Sequence, residues 1–313
     1  MTEKLHVLII EDSQGDSRLV QEMLLESRSV EFDVQRVELL KDGLDRMSNF
    51  HFDVVLLDLS LPDSAGVETL MAVRNFKSDQ NVIVMTGQED ESIGLQATLA
   101  GAQDYLVKGQ VSSQVLIRSI RYSIERKRFE KKLEHMATHD SLTGLPNRKL
   151  FDINLHQALQ RAKREQHTDP EDGKVAVMLL DLDNFKQVND THGHVYGDKL
   201  LCSVAERLKN CMRSTDTVAR MGGDEFTLVI EDISSQEDCV AAASKVLKAL
   251  QEPIVVENKT LHTSVSIGIS LFPQDGQTAE TLLQFADIAM YHAKKTRHSF
   301  KFYSDEPVLS STK

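Results

Sequence analysis

Residues 220–226 read Arg-Met-Gly-Gly-Asp-Glu-Phe, two glycines and two adjacent acids between the short apolar stretches 217–219 and 226–230. The pattern predicts a hairpin. Gly222 and Gly223 put no bulk at its tip, while Asp224 and Glu225 present two carboxylates there. Paired carboxylates can hold a divalent cation through oxygen and can take up a proton, two requirements of chemistry at a nucleotide phosphate. Gly-Gly hairpins followed by solvated acids are common, so a second pattern is needed. It lies at 175–186, where the apolar run 175–180 stops at Asp181-Leu182-Asp183 and continues into Asn184-Phe185-Lys186. A buried strand delivering carboxylates at its carboxyl end is how α/β folds place magnesium ligands beside phosphates, and Lys186 can neutralise the same phosphates.

The first half alternates strands and helices. Apolar strands at 7–10, 54–57, 82–85 and 105–107, with a less regular one near 34–37, are separated by helix-length segments such as 18–26 and 92–100. Such alternation predicts a parallel sheet covered on both faces, with a site at the carboxyl ends of its strands. Glu11 and Asp12, Asp58, Thr86 and Lys108 stand at those ends. Each alone reads as a solvated loop residue; five together read as a site.

Between the halves, 112–137 carries Ile117, Ile120 and Ile124, then Phe129, Leu133 and Met136, among many Arg, Lys and Glu. Steps of three and four predict one long helix leaving the first domain and able to pair with a second copy, or to lie on its own first domain. The step of five from Ile124 to Phe129 shifts the stripe and divides it into two packing segments.

A chain of 313 residues is expected to form two domains, and 41% apolar with 27% charged residues is ordinary for globular protein. A net charge of −12 argues against a nucleic-acid or anionic-membrane surface. Cys202, Cys211 and Cys239 form no close metal-type pair and leave one thiol over, which points to a reducing compartment with inert thiols. No apolar run is long enough to span a bilayer and the first residues are not signal-like, so a cytoplasmic protein without membrane insertion is expected.

From His139-Asp140-Ser-Leu-Thr-Gly-Leu-Pro-Asn-Arg148 to about Tyr303 the chain resembles the GGDEF family of diguanylate cyclases, which join two GTP into cyclic di-GMP. The resemblance implies an α/β, nucleotidyl-cyclase-like domain at 139–313 in which Asp181, the Leu182 carbonyl and Asp224 bind Mg2+, with Mn2+ as the alternative. It implies further that Asp224 or Glu225 helps to deprotonate a ribose 3′-hydroxyl, that Asn189 and Asp198 read the guanine edge, that Phe185 lines the nucleotide pocket, and that Lys186 and Lys294 contact phosphates. Lys294 also reads as an ordinary solvated helix lysine. Two GTP must meet, so a homodimer is implied. Arg213-Ser-Thr-Asp216 stands at the spacing of the family's inhibitory product site, where an arginine fork and an aspartate suit a ligand carrying phosphate and guanine; its plain reading is a surface ion pair. One departure is Arg297-His298-Ser299, where the family usually continues Gly-Arg-Asn; it puts part of a phosphate contact in doubt.

Through Ile10-Glu11-Asp12, Leu57-Asp58-Leu-Ser60-Leu-Pro-Asp63, Met85-Thr86-Gly87 and Val107-Lys108-Gly109 the first half resembles response-regulator receiver domains. The resemblance implies a flavodoxin-like, doubly wound parallel sheet at 1–121, joined by a helical, coiled-coil-like linker at 122–138. It implies that Asp58 accepts a phosphoryl group from a histidine kinase, that Glu11, Asp12, Asp58 and the Ser60 carbonyl hold Mg2+, that Lys108 and Thr86 contact the phosphoryl oxygens, and that Tyr105 changes burial as Thr86 moves. The expected function is a phosphorylation-regulated diguanylate cyclase; the alternative is a non-catalytic receptor for GTP or cyclic di-GMP that acts through a protein partner.

Overall fold

The structure, a computed structural model, describes residues 3–27, 30–87, 91–167, 173–257 and 259–305. The chain divides into two compact units, Met1–Leu133 and Glu134–Lys313.

The first unit runs β1 (Glu3–Ile10), α1 (Gln14–Leu25), β2 (Val30–Val37), α2 (Leu40–Asn49), β3 (Val54–Asp58), the two-residue strands β4 (Ser60–Leu61) and β5 (Ser64–Ala65), α3 (Val67–Phe76), β6 (Val82–Thr86), α4 (Glu91–Leu99), β7 (Asp104–Val107) and the start of α5 (Ser113–Thr138). Five strands form a parallel sheet ordered β2-β1-β3-β6-β7, the doubly wound arrangement expected from the alternation. Strands β3 and β6 are buried throughout because helices cover both faces. Alternate residues feed two cores: Leu8, Val55, Leu57 and Val84 on one face, Val7, Ile9, Leu56 and Ile83 on the other.

Helix α5 meets the expectation of one long helix, and its stripe divides at the step of five. Leu116, Ile120 and Ile124 are buried in the core of the first unit, with Ile117 packed beside them, and so are committed to their own domain. Tyr122, Phe129, Leu133 and Met136 are 59% to 73% exposed. The spacing of seven between Tyr122, Phe129 and Met136, with Leu133 between the last two, makes a separate heptad seam on the outer face.

The second unit contains α6 (Arg148–Gln166), β8 (Val175–Asp183), α7 (Phe185–His192), α8 (His194–Cys211), β9 (Thr217–Gly222), β10 (Glu225–Ile230), α9 (Gln236–Gln251), the hairpin β11 (Ile254–Val256) and β12 (Lys259–Leu261), β13 (Ser264–Phe272), α10 (Ala279–Thr296) and β14 (Ser299–Phe302). Its sheet is ordered β14-β13-β8-β10-β9, antiparallel except for the β13–β14 pair. Ala176, Met178, Leu180 and Leu182 of β8 pack with Leu200, Val204 and Leu208 of α8 and with Val246 and Leu250 of α9. Val175 and Val177 pack on the opposite face with α6 and α10. Beyond Leu179 on that second face lie Asp181 and then Asp183, so the apolar strand ends in carboxylates on the side of α10. That helix sits close: a Cβ on Gly268 of β13 would come within 2.0 Å of the Ala286 carbonyl oxygen.

Candidate active site

Antiparallel pairing sets Glu225, the first residue of β10, directly across from Asp181. The register slips between Glu225 and Phe226, a bulge at the hairpin tip that re-aims the acids next to it. Gly222 and Gly223 have φ of 138° and 55°, conformations that favour glycine, and a Cβ at either would meet nothing within 4 Å. Backbone shape therefore requires the glycines, and the space above the tip is open.

Arg220 braces that tip. Its guanidinium donates to the Gly223 carbonyl from Nε (3.1 Å) and Nη2 (2.7 Å), and from Nη1 to Asp140 Oδ1 at 2.9 Å. Asp140 also accepts from the Thr143 N–H and hydroxyl. Burial alone would raise the Asp140 pKa, but the Thr143 hydrogen bond and the Arg220 charge outweigh it and hold the carboxyl below its ordinary value. Arg220 N–H donates to the Pro146 carbonyl at 3.0 Å, which ties the segment after α5 to β9.

Lys294, in the last turn of α10, reaches across the sheet end to donate to Asp181 Oδ2 at 2.8 Å. Burial pushes the Asp181 pKa up, the Lys294 hydrogen bond opposes this, and the neighbouring charges of Asp224 and Glu225 push it further up. Burial pulls the Lys294 ammonium down, yet the hydrogen bond and charge of Asp181 win and its pKa is raised. Lys294 is therefore part of the acidic site. Asp183 takes another course: it accepts from Ser264 Oγ, Ser266 Oγ and the His298 N–H, and is consumed by the protein.

Phe185 and Asn189 of α7 face α8 at Gly197, where a Cβ would lie 1.9 Å from Asn189 Oδ1 and 3.3 Å from the Phe185 ring. Asn189 Oδ1 is enclosed and without a protein hydrogen-bond donor. Lys186 and Asp198 are exposed on the same two helices. Away from these acids, Arg213 and Asp216 line a cavity of about 220 Å³ with Lys245 and Asp238. The aspartate does not pair with the arginine side chain as a plain surface ion pair would: Asp216 Oδ2 accepts from the Arg213 backbone N–H at 2.8 Å, and Oδ1 is enclosed without a partner.

In the first unit, Lys108 Nζ stands 2.5 Å from Glu11 Oε2, 2.8 Å from Asp58 Oδ2 and 3.3 Å from Asp16 Oδ2. Burial raises the Glu11 pKa; the Lys108 hydrogen bond opposes it without reversing it. Carboxylate oxygens of Glu11, Asp12 and Asp58 lie within 4.8 Å of one another, a hard-oxygen donor set that fits Mg2+. Among the described residues this is the one group of three acids gathered so closely; Asp181, Asp224 and Glu225 are spread wider. Asp181 and the adjacent Leu182 carbonyl still offer hard oxygens beside two further carboxylates. Thr86 is buried at the end of β6, its carbonyl accepting from the Lys108 N–H at 2.8 Å, and Ser60 N–H donates to Asp58 Oδ1 at 3.2 Å. Tyr105 is half-buried and lies against Gly94.

Sequence reasoning missed the Arg220 brace, the anchoring role of Asp183 and the contribution of Asp16. Asp140 and Thr143, three apart before a glycine, carried a turn signal; nothing local linked Asp140 to a residue eighty positions on.

The sequence profile of the family described as "Diguanylate cyclase, GGDEF domain" matches residues 137–299, and that of "Response regulator receiver domain" matches 7–121. The chain is 42% identical over 207 residues to the bifunctional diguanylate cyclase/cyclic di-GMP phosphodiesterase MucR of Pseudomonas aeruginosa, covering 66% of this chain and 29% of that protein. It is 30% identical over 302 residues to the response regulator PleD of Caulobacter vibrioides, covering 92% of this chain and 63% of PleD. It thus spans less than two thirds of either relative. A solved GGDEF-domain structure of TpbB (YfiN) from Pseudomonas aeruginosa matches with a TM-score of 0.50 at 39% identity, covering 53% of this chain and 94% of that one. No described helix is long and apolar enough to cross a membrane. The chain belongs to the GGDEF diguanylate cyclase family and carries a response-regulator receiver domain ahead of its GGDEF domain.

Proposed function

We propose that the protein condenses two GTP into cyclic di-GMP and two pyrophosphates, and that phosphorylation of Asp58 controls the rate. The observation that carries the catalytic part is the register that sets Glu225 opposite Asp181, with Asp224 beside it on an open glycine turn and Lys294 at hydrogen-bonding distance. Asp181, the Leu182 carbonyl and Asp224 would hold Mg2+, or Mn2+, which when bound offsets phosphate charge and makes a hydroxyl easier to ionise. Asp224 or Glu225 accepts the proton of a ribose 3′-hydroxyl, an acid too weak to ionise unaided at neutral pH. Lys294 exchanges its hydrogen bond to Asp181 for one to a phosphate oxygen, and exposed Lys186 adds a second cation. Phe185 flanks the base, and Asn189 and Asp198 take its hydrogen-bonding edge; the unpartnered Asn189 Oδ1 is the feature that supports this placement. A carboxylate accepts from both N1–H and the exocyclic amine of guanine, a pair adenine does not offer. That is the basis for choosing GTP.

Each site supplies half of a reaction, so a homodimer is needed to bring one 3′-hydroxyl to the other α-phosphate. The exposed seam Tyr122, Phe129, Leu133 and Met136 supports self-association. A histidine kinase would supply the phosphoryl group that Asp58 accepts, with Glu11, Asp12 and the Ser60 carbonyl as its partners around Mg2+ and Lys108 and Thr86 at the phosphoryl oxygens. Cyclic di-GMP would also return to Arg213 and Asp216 as an inhibitor.

One observation favours the alternative receptor reading: Arg297-His298-Ser299 departs from the family's usual Gly-Arg-Asn. Incubating purified protein with Mg2+ and GTP and separating the nucleotides decides between them. Cyclic di-GMP formation supports the cyclase; GTP binding without turnover at any protein concentration supports the receptor.

A further inference from the structure

Asp183 is 7% exposed and lies two residues beyond Asp181 on the same face of β8. Its oxygens are met by protein donors: Ser266 Oγ donates to Oδ1 at 2.8 Å, and Ser264 Oγ and the His298 N–H, the latter at 3.1 Å, donate to Oδ2. The last of these belongs to the turn that ends α10. There, Arg297 and His298 have φ of 54° and 43°, two consecutive side chains in a region that favours glycine. Arg297 N–H and Ser299 Oγ donate to the Ala293 carbonyl, and Thr296 and Ser299 share a hydroxyl hydrogen bond. Besides these contacts and the β13–β14 pairing that begins at Ser299, the bond from His298 to Asp183 ties the backbone of the turn to β8.

We propose that Asp183 is a positioning residue for nucleotide condensation: it grips the strained turn after α10 and thereby holds Lys294, at the end of the same helix, in register with Asp181. The geometry explains why the residue is an acid. A carboxylate only accepts, and here it meets two hydroxyls and one amide; an asparagine gives a weaker, neutral acceptor to His298 and forces the Ser266 hydroxyl to turn from donor to acceptor. The donors that fill these oxygens also leave Asp183 poorly suited to bind the cation, in contrast to Asp181.

The proposal rests on the cyclase reading for its kinetic arm, so the test has a second readout independent of turnover. In the full-length protein, amide hydrogen exchange at His298 should be slow in wild type and faster by about tenfold or more in Asp183→Asn, since the amide loses a buried charged acceptor. In the same variant kcat should fall by about tenfold, with the GTP KM and the Mg2+ requirement changed less than about threefold, the pattern of a misplaced catalytic group. His298→Gly, which suits a positive φ, should restore part of the lost kcat when combined with Asp183→Asn. If Asp183→Asn fails to fold, Ser264→Ala, which keeps the charge and removes one donor, should show the same changes with smaller size. Faster exchange with unchanged kcat would overturn the positioning role. A large rise in the Mg2+ requirement would overturn it too, by making Asp183 a metal ligand, and so would unchanged exchange. A wild-type protein that never turns over GTP would instead remove the cyclase reading while leaving the exchange result to stand.

Discussion

Lys294 Nζ and Asp181 Oδ2 stand 2.8 Å apart although 113 positions separate them in the chain. The contact joins the end of an apolar strand to the end of a helix and gives the half-buried carboxylate a neutralising partner. The compensation is incomplete, because burial and the charges of Asp224 and Glu225 leave the Asp181 pKa raised above 3.8.

Asp181 should therefore cost the fold stability at neutral pH. A carboxyl raised in the folded state keeps its proton longer than in the unfolded chain, so stability falls as pH rises from 3.8 through the higher folded value. Asp181→Asn should melt at or above the wild-type temperature at neutral pH while losing cyclase activity by roughly a hundredfold or more. Thermal melts across pH check this; a variant that melts well below wild type at neutral pH contradicts it.

The Arg220 brace should behave oppositely. Removing its bonds to Asp140 and Gly223 in Arg220→Ala should cost on the order of 2 kcal/mol and reduce kcat, since the tip bearing Asp224 loses its support. Because Asp140 is lowered in the folded state, its contribution is present above 3.8 and lost as pH falls through the depressed folded value. Denaturant melts should show the gap between wild type and Arg220→Ala narrowing on acidification; a constant gap would remove Asp140 from the account.

Much of this was legible from local pattern. The apolar runs at 54–57, 82–85 and 175–180 announced buried strands, and acids at their ends announced where the sites lie. What local pattern missed was pairing at a distance. Asp181 and Asp183 look equivalent in sequence, and only β13 and the turn after α10 separate a carboxylate held by Lys294 at one oxygen from one whose two oxygens are both filled by donors. Ile120 and Phe129 lie nine residues apart on opposite sides of one helix, and only the receiver core decides which side is buried.

Helix α5 should divide into two functions by residue. Ile120→Ala should destabilise the first unit by roughly 2–5 kcal/mol, as a core truncation does. Phe129→Glu, at a 59% exposed position, should leave melting nearly unchanged and weaken self-association measured by sedimentation. Undiminished self-association in Phe129→Glu would show that the seam is not the contact between copies.

Feedback should depend on the cavity beside Arg213 and Asp216. Arg213→Ala should stay active yet lose inhibition by cyclic di-GMP, and wild-type inhibition should be non-competitive with GTP, because the cavity is lined by other residues than the acids at the tip. Product titrations at several GTP concentrations check both. Inhibition of the variant as strong as that of wild type would leave the motif only its turn-forming bonds.

The most direct test of the whole account is the rate of cyclic di-GMP formation by wild type and by Asp58→Ala, each with and without beryllofluoride, across a protein dilution series. Beryllofluoride at Asp58 should raise the wild-type rate most at low concentration and progressively less as mass action supplies the dimer, with Asp58→Ala unresponsive throughout. Equal rates for Asp58→Ala and beryllofluoride-treated wild type at every dilution would contradict it.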